Sequence, residues 1–158
     1  MKQTIQDLDQ IVQAYSKKIR SIQSLEFSAK PQPNKWSKKE VIGHLIDSAQ
    51  NNLRRFICGQ YESDPPKIVY DQNRWVTSNN YGEVDNEEII TLWELVNKRI
   101  IAVLRQMPPS AYERKCNTGK ADPQLYTLEW LASDYVRHLK HHLNQVIPNS
   151  FDVSYVTY

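Results

Sequence analysis

Glycine is scarce in this chain, four residues among 158. That argues against a β-rich fold full of tight turns and against a glycine-rich loop that cradles phosphates. Cysteine is scarcer still. Cys58 and Cys116 are too few for a disulfide framework, and a cytoplasmic protein with reduced thiols is the expectation. No apolar run approaches the ~18 residues that span a bilayer, so no membrane partner is expected. The opening stretch MKQTIQDLDQ is polar and periodic, unlike a signal peptide. Neither sign of charge dominates: a formal net charge of +2, with no basic run interleaved with aromatics, speaks against nucleic acid as the main partner. What is present, 40% hydrophobic and 24% charged residues, describes an ordinary soluble globular protein. The length suits one closed core, so residues 1–158 are expected to form a single domain.

Apolar residues at three- and four-residue steps mark four long helices. The first runs from Thr4 to about Leu25, with Ile5, Leu8, Ile11, Val12, Tyr15, Ile19 and Ile22 on one face. Pro31 and Pro33 then make Glu26–Lys35 a connection. The second begins at Ser37 and Glu40, an S-x-x-E capping box, carries Val41, Ile42, Leu45, Ala49, Leu53 and Phe56, and has Gly59 as its stop. Tyr61–Val84 has no clean period. A connection of that length serves either as a lid over a pocket or as an aromatic cap on the bundle end. The third helix follows Asp85 with Ile89, Leu92, Trp93, Val96, Ile100, Val103, Leu104 and Met107, and stops at Pro108 and Pro109. Ala111–Tyr126 reads as a polar connection, and the fourth helix spans Leu128–Val146. The tail NSFDVSYVTY is expected to pack as an extended strip on the bundle or on a second subunit. The fold class is all-α: a four-helix bundle with its long connection between helices two and three.

Three of the four histidines sit in the last helix: His138, His141 and His142. At ~100° per residue His138 and His142 lie about 40° apart along one edge of the apolar stripe, while His141 points away. Two imidazoles one turn apart can bind a single metal ion. The same spacing equally describes one surface histidine and one hydrogen-bonded, half-buried one. His44, in the second helix, lies about 60° beyond Val41 on the side of Ser48 and Arg55, which suits either an interhelical polar site or plain exposure. The metal hypothesis requires folding to bring His44 to His138 and His142. Cys116 has no histidine near it in sequence, and Cys58 is a small helix-terminal residue.

W-S-x-x-E-V-x-x-H-L-x-D-S in Trp36–Ser48, the Tyr-x-x-x-x-Trp of the long loop and H-x-x-H-H-x-x-Q in His138–Gln145 together resemble the DinB-like superfamily. That group includes proteins of the YfiT type, assigned as metal hydrolases, and thiol-dependent S-transferases. The resemblance covers nearly the whole chain. It implies a divalent metal held by His44, His138 and His142, with His141 as a bystander, and a homodimer.

Three imidazoles favour Zn²⁺, Ni²⁺ or a similar ion over Mg²⁺ or Ca²⁺. With three protein ligands, an open position makes such a site reactive. A water there gives a hydrolase of a small-molecule substrate. A low-molecular-weight thiol there, as co-substrate, gives an S-transferase. The lack of an acid–base partner beside the histidines favours the transferase. Glu40 and Asp47 are the carboxylates nearest in sequence to His44, and Glu40 is already explained by its cap. A non-catalytic metal-binding, stress-associated protein is the remaining alternative.

Overall fold

The structure, a computed structural model, describes residues 1–155. Its four long helices are α1 (Lys2–Arg20), α3 (Lys38–Tyr61), α5 (Asn86–Gln106) and α6 (Leu128–Val146). Between them stand two shorter helices, α2 (Ser24–Ser28) and α4 (Gln72–Asn79), and a small antiparallel pair, β1 (Lys115–Asn117) and β2 (Leu125–Thr127). The predicted bundle is therefore present, with a minor strand pair inside the stretch predicted to be an irregular connection.

α3 packs against α5 and α6, and α1 packs against the same two. Helix directions follow from the contacts at their ends. The Met1 amino group meets Glu129 at the start of α6, so α1 and α6 run in parallel. Arg20, closing α1, pairs with Glu87 at the start of α5 and with Glu94 in its first half, so those two helices are antiparallel. Gly59, near the end of α3, lies against Leu128 at the start of α6, so α3 opposes α6. The neighbours α3 and α5 must then be parallel. A parallel pair cannot be joined by a tight turn, and this is why the second connection is long: it has to travel back along α3 before α5 can begin.

The local reasons for the helices are mostly those read from the sequence. Ser37 accepts the Glu40 amide at 3.2 Å while Glu40 accepts the Ser37 amide at 2.8 Å, closing the capping box. Asp85 and Thr127 cap α5 and α6 through their side chains. The core is continuous through Leu8, Ile42, Leu45, Phe56, Trp93, Ile100, Tyr135 and Leu139, each burial contributing about 1.5–3 kcal/mol.

Several boundaries differ from expectation. α1 ends at Arg20, not near Leu25, and the chain makes the separate turn α2, which seats Phe27 in the core. Gly59 does not stop α3. It sits inside the helix, where a Cβ would come within 2.7 Å of Leu128 Cδ2, so its role is close helix approach. Leu92 is 44% exposed and off the core stripe of α5. The loop before α5 contains α4, capped by Asp71 and ended by Asn80 in the left-handed region at φ 47°. It lies along α3 rather than over the bundle end. The tail packs back on the bundle, with Phe151 stacked on Tyr15 at 5.0 Å; its residues 156–158 are outside the described set.

Candidate metal centre

Because the returning crossover covers a third side of α3, that helix is buried almost all round, and its polar residues are buried with it: His44, Asp47, Ser48, Asn51 and Asn52. Helical spacing puts His44, Ser48, Asn52 and Arg55 in one row. α6 presents His138 and His142 to that row from the opposite direction.

The three rings meet. Their centroids are 5.1 Å apart for His44–His138, 4.6 Å for His44–His142 and 4.4 Å for His138–His142. One ligand atom from each lies within 4.8 Å of the others, and among the described residues this is the group that could hold a metal ion. His44 Nε2 and His138 Nε2 are 3.2 Å apart. Two imidazole nitrogens bound tetrahedrally at ~2.0–2.1 Å stand about 3.3 Å from each other, so this one pair already has the spacing that a Zn²⁺-sized ion requires.

Second contacts orient the rings. His138 Nδ1 is 3.4 Å from Ser48 Oγ, and His142 Nδ1 is 3.2 Å from Gln145 Oε1. An Nδ1–H donating to each oxygen leaves both Nε2 lone pairs pointing into the cluster. His44 Nδ1 is buried without such a partner, and the Trp36 ring at 5.1 Å holds its position instead. Burial drives all three toward the neutral, ligating form. It lowers His44 to about 3, helped by the charge of His142. It lowers His142 to about 4 against the opposing effect of the hydrogen bond that His142 donates to Gln145 Oε1. It holds His138 well below the usual histidine range, again with His142 adding to the effect. His141 stands outside the group, 3.3 Å from Gln145 Nε2.

Neither nearby carboxylate is presented to the cluster. Glu40 is held by the Ser37 cap and by Lys30 at 2.9 Å. Asp47 Oδ1 accepts Tyr81 Oη–H at 2.6 Å and Asn79 Nδ2–H at 3.1 Å, while Oδ2 is buried with no partner. Burial raises Asp47 to about 6 in spite of the Tyr81 hydrogen bond. Asp47 thus ties the crossover to α3 behind the site. Nothing in a single sequence signals that pairing. Cys116 is buried, its thiol donating to Pro66 O at 3.0 Å and pushed up by burial, and Cys58 is half-buried beside Tyr61; neither belongs to the histidine group.

Two hollows reach the cluster. A cavity of about 210 Å³ ends on His138, and an open cleft of about 680 Å³, with Lys30, Lys35, Lys38 and Trp36 in its walls, ends on His142. Gln72 lines the first and Asn73 the second, so the start of α4 stands between them.

Comparison with known proteins agrees with the architecture. A family model described as the DinB superfamily matches residues 7–146. The "Putative metal-dependent hydrolase YfiT" of Bacillus subtilis is 27% identical over 114 residues, 70% of this chain and 62% of that protein. The chain thus spans about three-fifths of the length of that curated relative. The solved structure of YfiT superposes with a TM-score of 0.81 at 24% identity, covering 92% of this chain and 82% of that one. That of a mycothiol-dependent maleylpyruvate isomerase gives 0.70 at 14%, covering 90% and 59%. Both share the fold. No helix of the described residues is long and apolar enough to cross a membrane.

Proposed function

Because this chain belongs to the DinB superfamily, we propose that it is a divalent-metal-dependent enzyme whose ion is held by His44, His138 and His142, and that it is an S-transferase joining a low-molecular-weight thiol to a small electrophile. The observation that carries this reading is the convergence of three ring nitrogens, from two helices, to within 4.8 Å. All three groups are kept neutral by burial, which spares the deprotonation a ligand must otherwise undergo. A divalent ion bound there supplies a Lewis-acid centre that lowers the pKa of a thiol or water reaching it.

The protein's own residues fix the rest. Ser48 and Gln145 orient His138 and His142. Asp47, engaged by Tyr81 and Asn79, is not free to act as a base on the histidine side. A site without a free base suits activation of a thiol, which needs only to lose its proton, better than hydrolysis, which also has to protonate a leaving group. Two hollows ending on neighbouring histidines suit two substrates. The fold is shared with a mycothiol-dependent isomerase; fold alone does not carry the activity over. The hydrolase reading rests on the name of the YfiT relative. The proposal includes assembly as a homodimer, checked by light scattering.

Elemental mass spectrometry on untagged protein tests the site. The parent is expected to hold near-stoichiometric Zn or Ni. His44→Ala, His138→Ala and His142→Ala are each expected to lose it, and His141→Ala to keep it. Equal loss in all four would remove His141 from its bystander role, and an empty parent after incubation with metal would overturn the metal reading. Turnover of a thiol with a chlorinated arene supports the transferase. Release of acid from an ester set with no thiol turnover would replace it with the hydrolase.

A further inference from the structure

The cavity that ends on His138 carries a charge that the proposed chemistry does not use. Arg55 stands in its wall. Its Nε and Nη2 donate to Ile68 O at 3.2 and 2.8 Å, and its Nη1 donates to Asn52 Oδ1 at 3.3 Å. All of these acceptors are neutral, and among the described residues Arg55 makes no ion pair with a carboxylate. A guanidinium has five N–H donors, so two remain unpartnered on a side chain already fixed in orientation. Burial lowers the Arg55 pKa, the mark of a cation whose charge is not fully offset.

The other charged and titratable groups around the cavity do not answer that charge at contact distance. Asp134 gives Oδ1 to Arg137 at 2.7 Å and Oδ2 to the Tyr155 hydroxyl at 3.2 Å. Lys120, exposed at the rim, adds positive charge. Burial holds His138 well below the usual histidine range, and Tyr70, Tyr126 and Tyr135 add rings to the walls. The lining is also aromatic: Tyr126 and Trp130, both in the wall, stack on each other at 4.0 Å with a 14° angle between planes.

Resting on the metal reading above, we propose that Arg55 anchors the carboxylate of a small, flat organic acid, whose reactive end then lies at His138. The row on α3 sets the scale. Arg55 follows Ser48, the partner of His138, by seven residues, or about 10 Å of helix axis at ~1.5 Å per residue. The side chain itself spans part of that length. What remains suits an aromatic or short unsaturated acid, in keeping with about 210 Å³ of space. A fork already held by Ile68 O and Asn52 loses little freedom on taking up the anion. Asn52 also joins the anchor to the metal end, since its Nδ2 donates to Ser48 O at 2.9 Å.

Benzoate and its uncharged analogue benzamide test this by titration calorimetry on the full chain, both zinc-loaded and metal-free. Benzoate is expected to bind both forms, and benzamide about tenfold or more weakly. Arg55→Gln is expected to lose at least about tenfold in benzoate affinity, and Arg55→Lys to keep part of it. In the parent protein the Arg55 Nε–H resonance is expected to shift with benzoate and not with benzamide, a readout independent of any variant's folding. An unchanged affinity in Arg55→Gln, an unmoved resonance, or benzoate binding that needs zinc but not Arg55 would overturn the anchor. Zinc uptake on the same samples separates the two readings. Benzoate capture by a protein that takes no zinc overturns the metal and leaves the anchor standing; zinc uptake without the resonance shift does the reverse.

Discussion

Replacing Gly43 by alanine should reverse the usual effect of that change in a helix. In a helix interior alanine is favoured over glycine by about 1 kcal/mol. At Gly43, however, a Cβ would stand 2.1, 2.3 and 2.7 Å from Cδ2, Cγ and Cε2 of Tyr81. Carbon contacts settle near 3.5–4.0 Å, so the ring has to move by roughly 1.4 Å or more. Two of the three clashing atoms sit near the base of the ring, so rotation about a distal bond does not relieve them. The displaced ring gives up its 2.6 Å hydrogen bond to Asp47, whose other oxygen is already without a partner. Overpacking costs about 1–3 kcal/mol, and the lost bond to a buried carboxylate about 1.5–3. After the propensity gain the net loss is about 1.5–5 kcal/mol. The same substitution in a Tyr81→Ala background meets no ring and should stabilise by up to about 1 kcal/mol. Urea midpoints at constant m-value, combined as a double-mutant cycle, read the change of sign. If Gly43→Ala costs the same with and without the Tyr81 ring, the close packing of the crossover on α3 is refuted.

Acid should weaken the metal-free protein. The folded pKa values of His44 and His142 are depressed to about 3 and about 4 and that of His138 is depressed too, so between pH 6.5 and about 4 the unfolded chain binds more protons. Each histidine then removes about 1.4 kcal/mol per pH unit as the pH falls. Asp47, raised to about 6, works in the opposite direction between about 6 and 4. Urea midpoints at pH 7 and pH 5 should fall steeply in the parent and less steeply in His138→Ala; equal slopes would discard the burial argument. Ser48→Ala should weaken zinc affinity by about 10–100-fold while leaving the fold intact, as loss of an orienting contact does elsewhere. A chelator competition that shows no change would mean that Ser48 does not orient His138.

The long helices were legible because α1, α3, α5 and α6 each carry an apolar stripe over many turns, and because Ser37–Glu40 and Asp85 announce their starts. α4 was not, since eight residues with only Val76 buried make too short a period to detect. The β1–β2 pair has three residues on each side, below what alternation can reveal. Direction was invisible too: nothing in the stripes of α3 and α5 says that they run in parallel. At the site, the i,i+4 spacing of His138 and His142 was readable, and so was the side of α3 shared by His44, Ser48 and Arg55. The meeting of His44 with His138 was not. It depends on which faces of two helices come together, and the resemblance to a family pointed to it where periodicity could not.

Parallel α3 and α5, with the crossover that joins them, also set an order of assembly. His44 and His138 are 94 residues apart, so α6 is synthesised long after α3. Until it docks, the polar row of α3 has only the crossover as cover, and that is tied down by the hydrogen bonds of Tyr81 and Asn79 to the single carboxylate of Asp47. Contacts this distant in sequence close late and slow the search for the native state. Metal uptake during refolding should therefore trail the formation of helical signal, making ion capture a clock for the final docking step.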